Sequence, residues 1–213
     1  MSVDVKICGL KDRRAVAAAV AGGARFVGFV FFPRSPRFVS IETAAALARE
    51  VPATVWRVGL VVDADDALLD AVAASGAANM LQLHGGESPE RVAAVRERTG
   101  LPVIKAVAIG EAADVTAADR YAPVADRLLL DARPPAGADR PGGNRITFDW
   151  RLVRDHAWRQ PWLLAGGLDA DNLADAVAAS GARAVDVSSG VEASEGVKSV
   201  NRIRAFLAAA ALL

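Results

Sequence analysis

Eight short apolar runs punctuate the chain: "VDVKI" (3–7), "FVGFVF" (26–31), "VWRVGLV" (55–61), "MLQL" (80–83), "PVIKA" (102–106), "RLLL" (127–130), "WLLA" (162–165) and "AVDV" (184–187). Most are almost uninterrupted by polar residues. Strands buried on both faces, as in a parallel sheet, have that pattern. Alanine-rich amphipathic stretches near 11–21, 40–50, 65–75, 89–99, 111–121, 149–157, 170–180 and 198–210 separate them and predict helices. Ser40, Ser88 before Pro89, and Asp169 stand where helices should start, and Asp63, opening "DADD", reads as the N-cap of the third. The stretch "AVAASGA" occurs at 71–77 and again at 176–182, with a variant, "AAVAGGA", at 18–24. Each is a helix tail, a glycine stop and then a strand, so the chain repeats a βα unit.

Strict alternation leaves two architectures, an open doubly wound sheet or a closed eightfold barrel. Eight units favour the barrel, and no G-x-G-x-x-G follows the first strand. The expected fold is therefore α/β, a single eight-stranded parallel (βα)8 TIM barrel, with residues 1–213 forming one catalytic domain. The longest irregular segment, "DARPPAGADRPGGNRITF" (131–148), is long enough to read as a functional loop.

Charge narrows the partners. Twenty-five basic and 25 acidic residues balance to zero, which argues against a nucleic-acid or membrane-surface binder. One cysteine excludes an intrachain disulfide framework and is compatible with a reducing cytoplasm. Asp4 and Lys6 interrupt any leader-like opening, and no apolar run approaches the ~18 residues of a membrane span. The expectation is a cytoplasmic monomer.

In such barrels, chemistry gathers at the carboxyl ends of the strands. Reading those ends in order gives Cys8, the "PRSPRF" loop with Arg34 and Arg37, Asp63, His84, Asp131, Gly166-Gly167, and then Asp186, Ser188, Ser189 and Gly190. Taken singly, each has an ordinary reading: a buried small side chain, a cap, a structural imidazole or a solvated loop charge. Their convergence on one face points instead to a site. The loops "AGGLDADN" (165–172) and "DVSSGVE" (186–192) follow the seventh and eighth strands, where barrels often hold a phosphate. Glycines allow close approach of backbone N–H groups, and serines add donors. One Cys and two His, at 84 and 156, do not make a usual zinc site, and no G-x-S-x-G supports hydrolysis.

The blocks "VKICGL" (5–10), "VGFVFFPRSPRFVS" (27–40), "VGLVVD" (58–63), "LQLHG" (81–85), "LLLDA" (128–132), "TFDW" (147–150), "LLAGGL" (163–168) and "AVDVSSGVE" (184–192) span nearly the whole chain. Together they resemble the phosphoribosylanthranilate isomerase family of tryptophan biosynthesis. The resemblance implies a barrel without cofactor or metal, acting on a phosphorylated small molecule by an Amadori rearrangement of an aminoaldose to an aminoketose. It implies Cys8 as general base and Asp131 as general acid. It gives Arg37 to the anthranilate carboxylate, His84 and Asp186 to supporting substrate contacts, and Gly166, Gly167, Ser188, Ser189 and Gly190 to the phosphate. A thiol titrates near pH ~8.5, so it serves as a base without extreme tuning. A free aspartate ionises near pH ~3.9, so an acid there needs burial or negative neighbours. Two other readings stay open: an isomerase also or instead acting on the histidine-pathway aminoaldose, and a phosphosugar-binding barrel without turnover. One departure stands out. The family's G-[ST]-G-x-x-F-D-W reads "GGNRITFDW" (142–150) here, with Arg145 in place of the second glycine.

Overall fold

The computed structural model describes residues 3–135, 137, 142–143 and 146–213. Eight parallel strands close into a barrel in sequence order: β1 (Asp4–Cys8), β2 (Phe26–Val30), β3 (Trp56–Val61), β4 (Met80–Leu83), β5 (Val103–Ile109), β6 (Arg127–Ala132), β7 (Trp162–Leu164) and β8 (Ala184–Val187). The ring shuts where β1 pairs with β8, Lys6 opposite Asp186. Helices α1 (Arg13–Ala21), α2 (Ile41–Ala48), α3 (Asp66–Ala74), α4 (Pro89–Thr99), α5 (Ala112–Ala118), α6 (Leu173–Ser180) and α7 (Val200–Ala210) cover the outside.

Because strand side chains alternate, each apolar run feeds two cores. Outward residues such as Ile7, Val27, Phe29, Leu81, Leu128 and Leu130 pack under the helices. Inward residues Phe26, Val58, Met80, Ile104, Leu129 and Leu163 fill the lower barrel. Side-chain caps set the helix starts: Ser40 accepts from the Thr43 N–H at 3.2 Å and Ser88 from that of Arg91 at 3.3 Å.

Three local expectations change, and one element is new. The stretch at 149–157 holds only a 3-10 turn, Trp150–Val153. The Trp158 indole N–H donates to the Val153 carbonyl at 3.0 Å, which occupies an acceptor that a continuing helix would need. The third helix is capped by Asp65, whose side chain accepts from Leu68 N–H. Asp63 instead sits at φ 45° and accepts from the Gly86 N–H at 2.8 Å, tying the β3 loop to the β4 loop. Helix α6 starts at Leu173 after Asn172, while Asp169 closes the preceding turn by accepting from the Asp171 and Asn172 N–H groups at 3.0 Å. Finally, a small hairpin, β9 (Glu192–Ser194) with β10 (Val197–Lys198), follows the eighth strand; nothing in so short and polar a stretch announces it.

Candidate active site

At the carboxyl end of the barrel lies a cavity of about 780 Å³, counting its solvent-open mouth. Its lining includes Cys8, Arg37, His84, Asp131, Gly166, Gly167, Asp186, Ser188 and Ser189. Nine of the ten expected site residues thus meet on one wall or another. Gly190 lies underneath, where any side chain would run into the Leu168 backbone. Arg34 is exposed, and His156 pairs with Asp119 away from the cavity.

The period of two along β1 points Lys6 and Cys8 inward, one above the other. Gly28 of β2 is paired beside Cys8. A Cβ there would stand 3.2 Å from Cys8 Sγ and 3.3 Å from Lys6 Nζ, so the missing side chain makes room for both. After Cys8 the chain must turn at once. Gly9 does this at φ 78°, and the N–H groups of Gly9 and Leu10 both donate to the Gly28 carbonyl at 2.9 Å. Lys6 is fully buried, and its Nζ donates to Asp186 Oδ1 at 2.8 Å. Burial alone would favour the neutral amine; the Asp186 carboxylate and the neighbouring thiol outweigh it and hold the Lys6 pKa above its ordinary value. Burial pushes the Cys8 thiol up, the Lys6 and Lys198 ammonium groups pull it down, and the net direction is up. Val30 and Leu60 pack with Cys8, backed by Phe32 and Val62, giving the cavity an apolar flank beside the thiol.

Asp131 projects from β6, three strands round the ring from β1 by way of β8 and β7. Its Oδ1 accepts from the Ala132 N–H at 2.9 Å, and its Oδ2 lies 3.3 Å from His84 Nε2. His84 Nδ1 is 2.8 Å from the Gln82 amide nitrogen. With that amide donating to Nδ1, the neutral ring carries its proton on Nε2, facing Asp131. The β4 loop that carries His84 is clamped from behind. Buried Lys105 donates to the Gly85 carbonyl and to Glu87, both at 2.8 Å, and Glu87 in turn accepts from Gly85 N–H at 2.9 Å. Burial opposes charge on Glu87, but Lys105 dominates and lowers its pKa.

Arg37 is 5% exposed and forks onto Glu192, Nε to Oε1 at 2.7 Å and Nη2 to Oε2 at 3.1 Å. The Ser188 hydroxyl is also engaged, donating to the Cys8 carbonyl at 3.1 Å while accepting from Lys198 Nζ at 3.1 Å. Gly166 and Gly167, at φ 88° and 63°, bring bare backbone to the cavity wall. Of the long loop, Gly142, Gly143 and Ile146 line the cavity. Arg145 falls outside the described residues.

Sequence reading passed over Lys6, Gln82, Glu192 and Lys198. For Lys6 and Gln82 a signal exists, a polar residue at an inward position two before a site residue. Glu192 and Lys198 carry none, because their partners are distant or on the unforeseen hairpin. Among the described residues no group of three or more His, Cys, Asp or Glu could hold a metal ion, and no helix is long and apolar enough to cross a membrane.

Comparison with known proteins adds names to this geometry. The family described as "N-(5'phosphoribosyl)anthranilate (PRA) isomerase" matches residues 5–209. An N-(5'-phosphoribosyl)anthranilate isomerase of Rhodospirillum centenum is 55% identical over 214 residues, covering 100% of both chains. One from Paramagnetospirillum magneticum is 53% identical, covering 99% of this chain and 98% of the other. Among solved structures, phosphoribosyl anthranilate isomerase of Thermotoga maritima superposes with a TM-score of 0.88 at 37% identity, covering 99% of this chain and 100% of that one. A phosphoribosyl anthranilate isomerase in complex with reduced 1-(o-carboxyphenylamino)-1-deoxyribulose 5-phosphate gives 0.84 at 36% identity, over 99% and 100% of the two chains.

Proposed function

The chain belongs to the N-(5'-phosphoribosyl)anthranilate isomerase family, and from that premise we propose that it converts N-(5'-phosphoribosyl)anthranilate to 1-(2-carboxyphenylamino)-1-deoxyribulose 5-phosphate, with Asp131 as acid and Cys8 as base. The observation that carries the reading is the pair itself: a buried carboxyl and a buried thiol lining one cavity from strands three apart in the ring.

Protonated Asp131 gives its proton to the furanose ring oxygen. The C1–O bond breaks as the anilino nitrogen lone pair forms a C1=N iminium. The Cys8 thiolate removes the C2 proton, and the C–H electrons form the C1=C2 enolamine, neutralising the nitrogen. Protonation at C1 and loss of the C2 hydroxyl proton give the ketone. Burial that raises the thiol pKa in the free protein works against the base. The cationic iminium beside it works for it, because an adjacent positive charge favours thiolate. The thiolate form is therefore most populated at the step that needs it.

Arg37 supports recognition of the ring carboxylate, the Val30–Leu60 flank suits the aromatic ring, and the Gly166–Gly167 and Ser188–Ser189 loops suit the phosphate. Since the Ser188 hydroxyl is already engaged, backbone N–H groups are the better candidates there. Asp186 keeps Lys6 charged beneath the thiol and turns its edge to the substrate. We read residues 1–213 as one catalytic domain and the protein as a cytoplasmic monomer. Balanced charge and few exposed large apolar side chains among the described residues support the monomer. Sedimentation at micromolar concentration checks it, a dimer mass refuting it.

The test is turnover of freshly prepared N-(5'-phosphoribosyl)anthranilate, followed by its fluorescence, for native protein and Cys8→Ala. Fast native turnover, reduced on the order of 10²–10⁴-fold in the variant, is expected of a lost acid–base group. A variant at near-native rate would remove Cys8 from its role. A native protein that binds but does not turn over would leave only a binding barrel.

A further inference from the structure

Glu192 makes more contacts than a packing residue needs. It is fully buried, and both carboxylate oxygens are doubly occupied. Oε1 accepts from Arg37 Nε at 2.7 Å and from Lys198 Nζ at 3.0 Å; Oε2 accepts from Arg37 Nη2 at 3.1 Å and from Gly196 N–H at 3.2 Å. Four donors satisfy a carboxylate's acceptor capacity, so this one has no alternative arrangement to move into. The hairpin that carries it is itself seated on the Arg37 loop: Gly196, at φ 74°, lies against the Pro36 backbone so closely that no side chain fits.

The consequence falls on Arg37. A guanidinium offers two forks, one from Nε and Nη2 and one from Nη1 and Nη2. Glu192 holds the first. Only the second, the Nη1 edge, is left for a ligand. It abuts Gly143 of the long loop, where a Cβ would collide with Nη1. Burial opposes charge on Glu192, but hydrogen bonding and charge from Arg37 and Lys198 hold its pKa down at about 2, so the fork is locked across the physiological range.

We propose that Glu192 is a positioning residue that fixes Arg37 edge-on to the cavity, so that the Nη1 edge selects ligands bearing an aromatic carboxylate. This rests on the reading of Arg37 given above and extends it: selectivity resides in the β9–β10 hairpin as much as in the arginine. Lys198 extends the same restraint to the other side of the cavity, since its Nζ also donates to the Ser188 carbonyl at 2.8 Å.

The experiment is calorimetric titration with two ligands: reduced 1-(o-carboxyphenylamino)-1-deoxyribulose 5-phosphate, and the same compound with hydrogen in place of the ring carboxylate. The ratio of the two Kd values measures carboxylate selectivity. In Glu192→Gln that ratio should fall about tenfold or more, the worth of one charge-assisted hydrogen bond, with the Kd of the descarboxy ligand nearly unchanged. Equal weakening of both ligands would make Glu192 a merely structural residue and overturn the proposal. Arg37→Lys keeps the charge next to Glu192 and tests the geometry without relying on that variant. Glu192 should capture the lysine ammonium, and selectivity should again be lost; retained selectivity would also overturn the proposal. A native protein that binds both ligands equally would refute the underlying role of Arg37, a result distinct from either variant outcome.

Discussion

Two levels of one barrel interior are built on opposite rules. In the lower level Phe26, Val58, Met80, Ile104, Leu129 and Leu163 form a hydrocarbon plug with no polar group to satisfy. In the upper level Cys8, His84, Asp131 and Asp186 line the cavity from β1, the end of β4, β6 and β8, nearer the carboxyl ends of the strands. Leu129 and Asp131 are two residues apart on β6; Met80, Gln82 and His84 climb in the same way from β4. The polar groups of the upper level lean on one another, Lys6 on Asp186 and the Gln82 amide nitrogen through His84 on Asp131, while the buried Gln82 Oε1 has no hydrogen-bond partner. A step of ~7 Å along a strand therefore separates residues whose task is volume from residues whose task is proton transfer.

The most direct test substitutes one residue in each level of β6. Asp131→Asn should lower kcat on the order of 10²–10⁴-fold while hardly moving the urea midpoint. Leu129→Ala should cost about 2–5 kcal/mol of stability and leave kcat of the folded protein close to native. Steady-state kinetics and urea unfolding on both variants read the two quantities. If Leu129→Ala lost most of its kcat while still folded, the levels would not be separable.

The hairpin beside the upper level should also contribute to stability, but by a pH-dependent route. Glu192 has a folded-state pKa of about 2, well below the ordinary value of 4.5. A depressed carboxylate pKa stabilises the fold above the unfolded pKa, and that gain is lost as pH falls through the folded one. The window here runs from about pH 4.5 down to about 2. The native protein should lose roughly 3 kcal/mol across that window on this account. Glu192→Gln should be less stable at pH 7 and lose correspondingly less on acidification. Parallel stability curves for the two proteins between those limits would show that the pairing is energetically idle.

The same contrast explains what could be read in advance. Strands such as "MLQL" and "AVDV" were legible to the residue because burial on both faces leaves a run that is apolar but for one residue. The strand ends then indicated Cys8, His84 and Asp131, since closure of the ring brings all eight ends to one face. Polar pairing was not legible. Arg37 and Glu192 are 155 positions apart, and only the fold makes them neighbours. The missing helix at 149–157 depended on a side-chain contact of a different, local kind, a tryptophan indole reaching back five residues to a carbonyl. Apolar periodicity is a property of one segment; compensation of a buried charge is a property of two.

The smallest expected effect concerns the long loop beside the upper level. Gly142 comes so close to the site that a Cβ would lie 2.8 Å from both Asp131 Oδ2 and His84 Nε2. Gly142→Ala therefore forces the loop to lift by a few tenths of an ångström or the imidazole to yield. Its φ is not in the left-handed region that disfavours a side chain, so backbone strain adds nothing. Gly142, Gly143 and Ile146 line the cavity without supplying either proposed proton-transfer group. Displacement of the loop should thus raise KM about threefold to tenfold, the scale of a contact worth roughly 1 kcal/mol, and lower kcat less. Gly23 is the control, since nothing lies within 4 Å of a Cβ there; its φ of 87° means that Gly23→Ala tests strain without crowding and should affect stability alone. A Gly142→Ala enzyme with native KM would mean that the loop stands clear of the ligand during turnover. A drop confined to kcat would mean that the His84–Asp131 contact, not the cavity lining, is what the glycine protects.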